Sequence, residues 1–557
     1  MRQLLLFFSL FLLFIPAVSA QDTGGTTEAA EQKRLIYFTD KNNTPYSLSN
    51  PLQFLSPKAI ERRQRQHIPI TPRDLPVNPA YVDGLKALDV HVWYTSRWFN
   101  AAVVQCSDEK LQEIEALAYV KSSQTLNRMA VTTGNTQQHI KQEAEMLPFT
   151  STYNVSLDSS DYGLAYHQAD MLGADELHAA GYAGEDMTIA VFDAGFPDVN
   201  TIKAFSHLFQ NDQLKGTFDF AQKQQNVFGA DAHGTAVLST MAAYAPGKMI
   251  GTAYAANYLL LRTEDAASEH NIEEINWLLA AEYADSAGAD IINSSLGYTT
   301  FDSPSTSYTY EDLDGNMTLV TKAADFAAAT GILVVVSAGN DGSRAWRYIS
   351  APADADSVLA VGAVDSLGLK AVFSSFGPAA DGQVKPDVVA LGQKAYVLTR
   401  GGTVVQANGT SFAAPIMAGF VASLWQANYS KTNMQMIQLL RQIGSRAASP
   451  GDSIGYGIPN YASVLTALPQ LPLQGKAYIS NPVKDEAIIL ALSQDWWSQN
   501  VEVQILDATG KQVYRQSLAS AREEQALNLQ PQQLKAGLYL CRLRSGSRFI
   551  TLRFVKL

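Results

Sequence analysis

The sequence predicts an α/β protein built on a mostly parallel sheet, with a small α+β unit before it and a small all-β sandwich after it. Two observations carry the central prediction. Within residues 161–468 the apolar runs 187–192, 258–261, 290–293, 332–337 and 358–364 read as strands. Between them lie amphipathic stretches such as 272–287 and 319–330. Near-continuous apolar strands separated by helices belong to a parallel sheet covered on both faces. A third observation is length: 557 residues hold several domains at roughly 100–200 residues each.

The chain divides as follows. Residues 1–20 carry Arg2, an apolar run from Leu4 to Ile15 broken by Ser9, and small residues Val18, Ser19 and Ala20. That is the pattern of a secretory signal peptide, too short to span a bilayer and set aside from the fold. Residues 33–126 read as a compact α+β unit, with strands at 35–38, 90–94 and 101–105 and helices at 59–66 and 108–117. The run Arg62, Arg63, Arg65 reads as a solvated helix face. Residues 127–160 are polar and weakly periodic, a linker or activation junction in which cleavage is expected. Residues 161–468 form the main α/β domain. Residues 476–557 read as a β-sandwich, with a hairpin at 502–515 turning on Asp507-Ala-Thr-Gly-Lys511. Trp496 and Trp497 are the only support for a carbohydrate-binding sandwich there.

Composition excludes several classes. The formal charge is −12 with no basic block, which argues against nucleic acid as a partner. Only Cys106 and Cys541 occur, so neither a disulfide framework nor a four-thiolate zinc site is available. No His-Glu-x-x-His is present, so no catalytic zinc is expected. After residue 20 no apolar stretch reaches membrane-spanning length, so no transmembrane segment is expected in the mature chain.

Chemistry is expected at the carboxyl ends of the parallel strands. Asp193 ends the first of these strands, in Val-Phe-Asp-Ala-Gly. His233 opens a small-residue helix in Asp-Ala-His-Gly-Thr-Ala. Ser411 begins another helix in Asn408-Gly-Thr-Ser-Phe-Ala-Ala-Pro415, and Asn340 follows a buried strand in Ser337-Ala-Gly-Asn340. A serine hydroxyl needs a base to take its proton, and the base needs an anchor. Ser411, His233 and Asp193 fit nucleophile, base and anchor. The Asn340 amide and the Ser411 N–H are candidate donors to a developing oxyanion. Gly234 permits close backbone approach.

These segments resemble the subtilisin-like serine proteases. The order is Asp193, His233, Asn340, Ser411, at successive separations of 40, 107 and 71 residues. The most specific element is Asn408-Gly-Thr-Ser-x-Ala-x-Pro415. The resemblance implies a three-layer catalytic domain and hydrolysis of protein or peptide substrates through an acyl-enzyme. It implies that Ser295, Leu296 and Gly297 form a substrate-binding edge and that Thr410 assists the oxyanion site. Phe412 replaces a Met common in relatives. No cofactor is implied for the chemistry. Structural calcium is compatible with the family but cannot be assigned to residues, and Tyr310–Asn316 reads as a solvated acidic loop. Residues 33–126 resemble the family's propeptides, which act as intramolecular inhibitors until cut. Residues 476–557, through Asn481-Pro-Val-Lys484, Ala536-Gly-Leu-Tyr-Leu540 and Phe554-Val-Lys-Leu557, resemble type IX secretion sorting domains. The expectation is a secreted or cell-surface serine endopeptidase made as a zymogen and exported through secretion machinery. The alternative is an inactive binding or adhesion protein on the same scaffold.

Overall fold

The structure is a computed structural model that describes residues 31–129, 146–147, 160–467, 477–479, 483, 487–492, 496–508, 510–522, 524–546 and 548–556. The expected signal peptide and most of the expected junction lie outside the described residues. The N-terminal unit is a four-stranded antiparallel sheet with three helices. Its strands are β1 (Gln32–Phe38), β2 (His91–Ser96), β3 (Ala101–Cys106) and β4 (Val120–Met129), in the order β2-β3-β1-β4. Its helices are α1 (Pro57–Arg65), α2 (Pro79–Lys86) and α3 (Asp108–Glu115). Ser56, Asn78 and Ser107 cap them, each side chain accepting a backbone N–H of the first turn. A two-residue strand, β5 (Met146–Leu147), is described within the junction.

The main domain follows. Helices α4 (Tyr166–Asp170) and α5 (Ala174–Ala179) precede β6 (Thr188–Asp193). Next come α6 (Ser206–Gln210), β7 (Leu214–Asp219), α7 (His233–Ala242), a short pair β8 (Tyr244–Ala245) and β9 (Met249–Ile250), and β10 (Asn257–Arg262). Then follow α8 (Ile272–Ala287), β11 (Ile291–Ser294), α9 (Leu319–Ala329), β12 (Leu333–Ser337), β13 (Leu359–Val364) and β14 (Val388–Leu391). The domain closes with β15 (Ala395–Leu398), β16 (Val404–Ala407), α10 (Thr410–Ala427), α11 (Asn433–Gln442) and α12 (Tyr461–Ala467).

Seven strands form one parallel sheet in the order β14-β13-β12-β11-β6-β10-β7. Side chains alternate across it, as the two-residue strand period requires. Ile189 and Val191 enter a core with α7 and α10, while Ala190 and Phe192 enter a second core with α8 and α9. Both faces are therefore buried, and the expected three layers are present. The carboxyl ends of β6, β11 and β12 open on one side, and α7 and α10 begin there. The junction strand β5 pairs antiparallel with β16, three residues before Thr410.

The N-terminal sheet packs on α8 and α9. Leu35, Trp98, Val103 and Leu126 join the second core, while Ile36, Phe38 and Val104 face the unit's own helices. The arginine run corrects the expectation of a solvated face. Arg62 and Arg63 are each 1% exposed and both bind the fully buried Asp285 of α8. Arg63 is bidentate on it at 2.8 and 2.9 Å and also reaches Asp74 at 2.8 Å. Arg97 binds the same carboxylate. Glu282, one turn earlier on α8, accepts Arg97 N–H at 2.9 Å, Trp98 N–H at 3.1 Å and the Ser96 hydroxyl. A charge pattern read along one helix cannot reveal a carboxylate supplied by another domain.

The C-terminal unit has β17 (Ala477–Ile479), β18 (Ile489–Leu492), β19 (Val501–Asp507), β20 (Gln512–Leu518), β21 (Glu524–Ala526), β22 (Gly537–Ser545) and β23 (Arg548–Lys556). They form a three-stranded sheet, β17-β18-β21, and a four-stranded sheet, β20-β19-β22-β23. Val501, Val503 and Ile505 alternate into the shared core with Leu490 and Leu543. Trp496 is buried in that core, and Trp497 Nε1 donates to the Leu492 carbonyl at 2.8 Å. Trp496 is therefore not displayed as a sugar platform, and Trp497 is half-buried against the same core. Cys106 and Cys541 are both free and buried.

Candidate active site

Each candidate arrives from a different element. Asp193 is the last residue of β6, wholly buried, and accepts the Ala194 N–H at 2.8 Å. His233 is the first residue of α7, where the Asp231 carboxylate accepts its backbone N–H at 2.7 Å. His233 Nδ1 lies 2.9 and 3.0 Å from the two Asp193 oxygens. That contact fixes the ring and leaves Nε2 as the other ring nitrogen. Burial pushes the Asp193 carboxyl above its usual range, against the opposing pull of His233 and the Ala194 N–H. Gly234 is required here: a Cβ would lie 2.3 Å from the Gly195 carbonyl oxygen and 2.9 Å from Asp193 Cβ.

Ser411 is the second residue of α10 and 6% exposed, at the positive end of an 18-residue helix. Phe412 packs its ring 5.9 Å from that of His233. Pro415 lies one turn on and has no N–H, so the Ser411 carbonyl lacks its ordinary helical donor. The Ser295 hydroxyl donates to that carbonyl instead, at 2.9 Å. Ser295 thus spends its side chain on the helix, while Leu296 is half-buried and Gly297 exposed on the cleft.

Asn340 sits beyond β12. Its Oδ1 accepts both the Thr410 N–H and the Thr410 hydroxyl, each at 2.9 Å. A backbone N–H can only donate, so the atom it meets is the amide oxygen, and the NH2 is left for the cleft. Thr410 is fully buried, so its hydroxyl orients Asn340.

Asp193, His233, Ser295, Asn340, Thr410 and Ser411 all line one cavity of about 870 Å³. It is large enough for several residues of an extended peptide. Sequence reasoning missed three of its groups. Glu264 and Glu269 follow β10, at the carboxyl end of a parallel strand, where the crevice rule alone pointed. Ser350 is buried, and its hydroxyl has no hydrogen-bond partner. A Cβ on Gly297 would lie 2.1 Å from that oxygen. No sequence signal marks Ser350.

Among the described residues, the carboxylates of Glu264, Glu269 and Glu273 bring ligand atoms within 4.8 Å of one another. Glu273 is occupied by two backbone N–H groups, of Asp265 and His270. In the Tyr310–Asn316 segment, Asp312 accepts the Thr309 N–H and Asp314 the Asn316 N–H, so these carboxylates serve their own turns. Among the described residues no helix is long and apolar enough to cross a membrane.

Comparison with known proteins gives three family matches. Residues 184–458 match the subtilase family, residues 33–145 the Peptidase S8 propeptide domain of Bacteroidota, and residues 480–557 a secretion system C-terminal sorting domain. Subtilisin DY of Bacillus licheniformis is 32% identical over 289 residues, covering 52% of this chain and 93% of that one. A subtilisin of Bacillus pumilus is 31% identical over 306 residues, covering 54% and 95%. The crystal structure of MycP1 from Mycobacterium smegmatis aligns at 20% identity and a TM-score of 0.45, over 58% of this chain and 89% of that one. Fold and relatives define the class as a serine endopeptidase. The chain belongs to the subtilase family, with an S8 propeptide ahead of the catalytic domain and a secretion sorting domain behind it.

Proposed function

We propose that the protein is a secreted endopeptidase, made as a zymogen, that hydrolyses peptide bonds through an acyl-enzyme on Ser411. His233 takes the Ser411 proton as the hydroxyl attacks the scissile carbonyl, then returns it to the leaving amine. Asp193 holds the imidazole through Nδ1 and stabilises its cationic form. The Asn340 NH2 and the Ser411 N–H receive the negative charge on the carbonyl oxygen. Thr410 positions Asn340, and Ser295 positions the turn that carries Ser411. Leu296 and Gly297 offer an exposed edge for an extended peptide. The chemistry needs no cofactor.

In the same reading, residues 1–20 are an export signal, 33–126 the propeptide, 127–160 the activation junction, 161–468 the catalytic domain and 476–557 the sorting domain. The propeptide covers α8 and α9 and inhibits in cis until the junction is cut. The sorting domain directs the chain to secretion machinery and the cell surface.

The observation that carries this proposal is the Asp193–His233 contact at 2.9 Å, in a cavity shared with Ser411 and Asn340. Casein hydrolysis tests it. Ser411→Ala should fold with unchanged circular dichroism and hydrolyse nothing above background. Hydrolysis at the wild-type rate would remove Ser411 as nucleophile.

A further inference from the structure

The cleft has one strongly acidic wall. Six carboxylates line the cavity, those of Asp193, Asp231, Glu264, Glu269, Asp302 and Asp341, against the cationic side chain of Arg344 and the imidazole of His233. Asp193 is engaged with His233, and Asp341 lies 3.9 Å from Arg344. Asp231 accepts the His233 backbone N–H at 2.7 Å, and Glu264, Glu269 and Asp302 lie together on the other segment of the wall. Glu264 is 1% exposed, and its Oε1 receives the Tyr298 hydroxyl at 2.7 Å and the Thr263 hydroxyl at 2.9 Å. Asp302 accepts the Glu269 N–H at 2.9 Å, and the Asp302 N–H donates to the Glu269 carbonyl at 2.8 Å. The two carboxylate-bearing segments are thereby clamped together across the cavity wall.

An independent feature lies beside them. Phe301 lines the same cavity, with its ring centroid 6.4 Å from that of Tyr298 and 5.5 Å from that of Tyr308. An apolar ring next to fixed carboxylates matches an amphipathic cation: the alkyl stem lies on the ring and the charged head meets the acids. A cleft lined by one sign of charge also focuses its field on an incoming ligand. A basic side chain held against Glu264 and Glu269 would gain charge-assisted hydrogen bonds.

We propose that this cleft selects peptides bearing Lys or Arg where the bound strand passes Glu264 and Glu269, an inference that rests on Ser411 and His233 being the reacting pair. The same carboxylates penalise an acidic residue at that position.

Matured enzyme from the full chain, assayed on internally quenched peptides, tests this. At each position Lys is compared with norleucine, which keeps the stem and drops the charge. One position should show a kcat/KM ratio of about tenfold or more in favour of Lys, shrinking as sodium chloride is raised. In the Glu264→Gln/Glu269→Gln variant that ratio should fall toward one. Glu269→Gln alone, at the more exposed site, should lower it if the double variant does not fold. A ratio near one at every position in the wild type overturns the proposal, as does a Lys preference that survives the double variant. Abolition of the preference by calcium, at a concentration where matched sodium has no effect, would assign the carboxylates to a divalent cation and also overturn it. Ser411→Ala run in parallel separates the two levels. Cleavage by that variant sinks the reading of the reacting pair. Its silence beside a flat wild-type profile sinks only the basic preference.

Discussion

The Ser295 hydroxyl donates to the Ser411 carbonyl at 2.9 Å, in the place that Pro415 leaves empty. A proline one turn into α10 frees the carbonyl of Ser411, the proposed nucleophile. Ser295, just past the end of β11, then ties that residue to the sheet.

Ser295→Ala should therefore act through position. It leaves a buried carbonyl unpaired, which costs about 1–3 kcal/mol. The melting temperature should fall. The kcat should fall more than KM rises, because the Ser411 turn loses its tether and the peptide edge remains. Unchanged kcat with a raised KM would place Ser295 on the substrate.

Thr410 and Asn340 make a graded pair. Under the proposed mechanism, Asn340→Ala removes a donor to the oxyanion, and kcat should drop about 10²–10³-fold, the magnitude found for removal of one such donor in a subtilisin. Thr410→Val deletes the hydroxyl that orients the amide but keeps the backbone N–H. Its loss should be smaller, and the double variant should lose no more than Asn340→Ala alone. Additive losses would mean that Thr410 acts on the substrate by itself.

The buried Glu274 of α8 makes stability pH-dependent. Burial pushes its carboxyl from 4.5 up to about 7, against donation from Asn271, Tyr308 and the Val320 N–H. A folded-state value above the unfolded one means that the native state binds the proton more tightly. Stability is then lost as pH rises from below 4.5 through about 7. The contribution is on the order of 3 kcal/mol. In a Ser411→Ala background, which prevents autolysis, Glu274→Gln should flatten the fall in melting temperature between pH 5 and 8, as order-of-magnitude bounds on that window. An unchanged slope would show that Glu274 titrates normally.

Asp285 is the acceptor for three arginines of the N-terminal unit. Removing one partner from a buried ion network costs about 3–5 kcal/mol, because the other charges stay buried and unpaired. Asp285→Ala should sharply reduce the yield of processed enzyme, read by immunoblot against wild type. Normal processing would mean that the arginine network does not hold the propeptide to the catalytic domain.

The main sheet was legible because its strands are buried on both faces and so read as unbroken apolar runs. Helix α8 was expected at its observed bounds, Ile272–Ala287. The positions of Asp193, His233 and Ser411 at the ends of regular elements were legible from their motifs, and the structure brings all three to one cavity. The role of Thr410 was coarser in the sequence, since nothing local shows that its hydroxyl turns to Asn340, 70 residues earlier. The burial of Arg62 and Arg63 was not legible at all. Their partner is 222 residues or more away, and an arginine-rich helix looks solvated until that carboxylate is known. Ser350 was equally silent, because a lone serine carries no signal until its glycine neighbours close over it.

The convergence of Asp193, His233 and Ser411 is tested most directly by a fluorophosphonate probe, which reacts with a serine only when a neighbouring base activates it. Matured enzyme should be labelled stoichiometrically, with the label on the tryptic peptide that contains Ser411, and both Ser411→Ala and His233→Ala should remain unlabelled. Label on another serine, or full labelling of His233→Ala, would contradict the account.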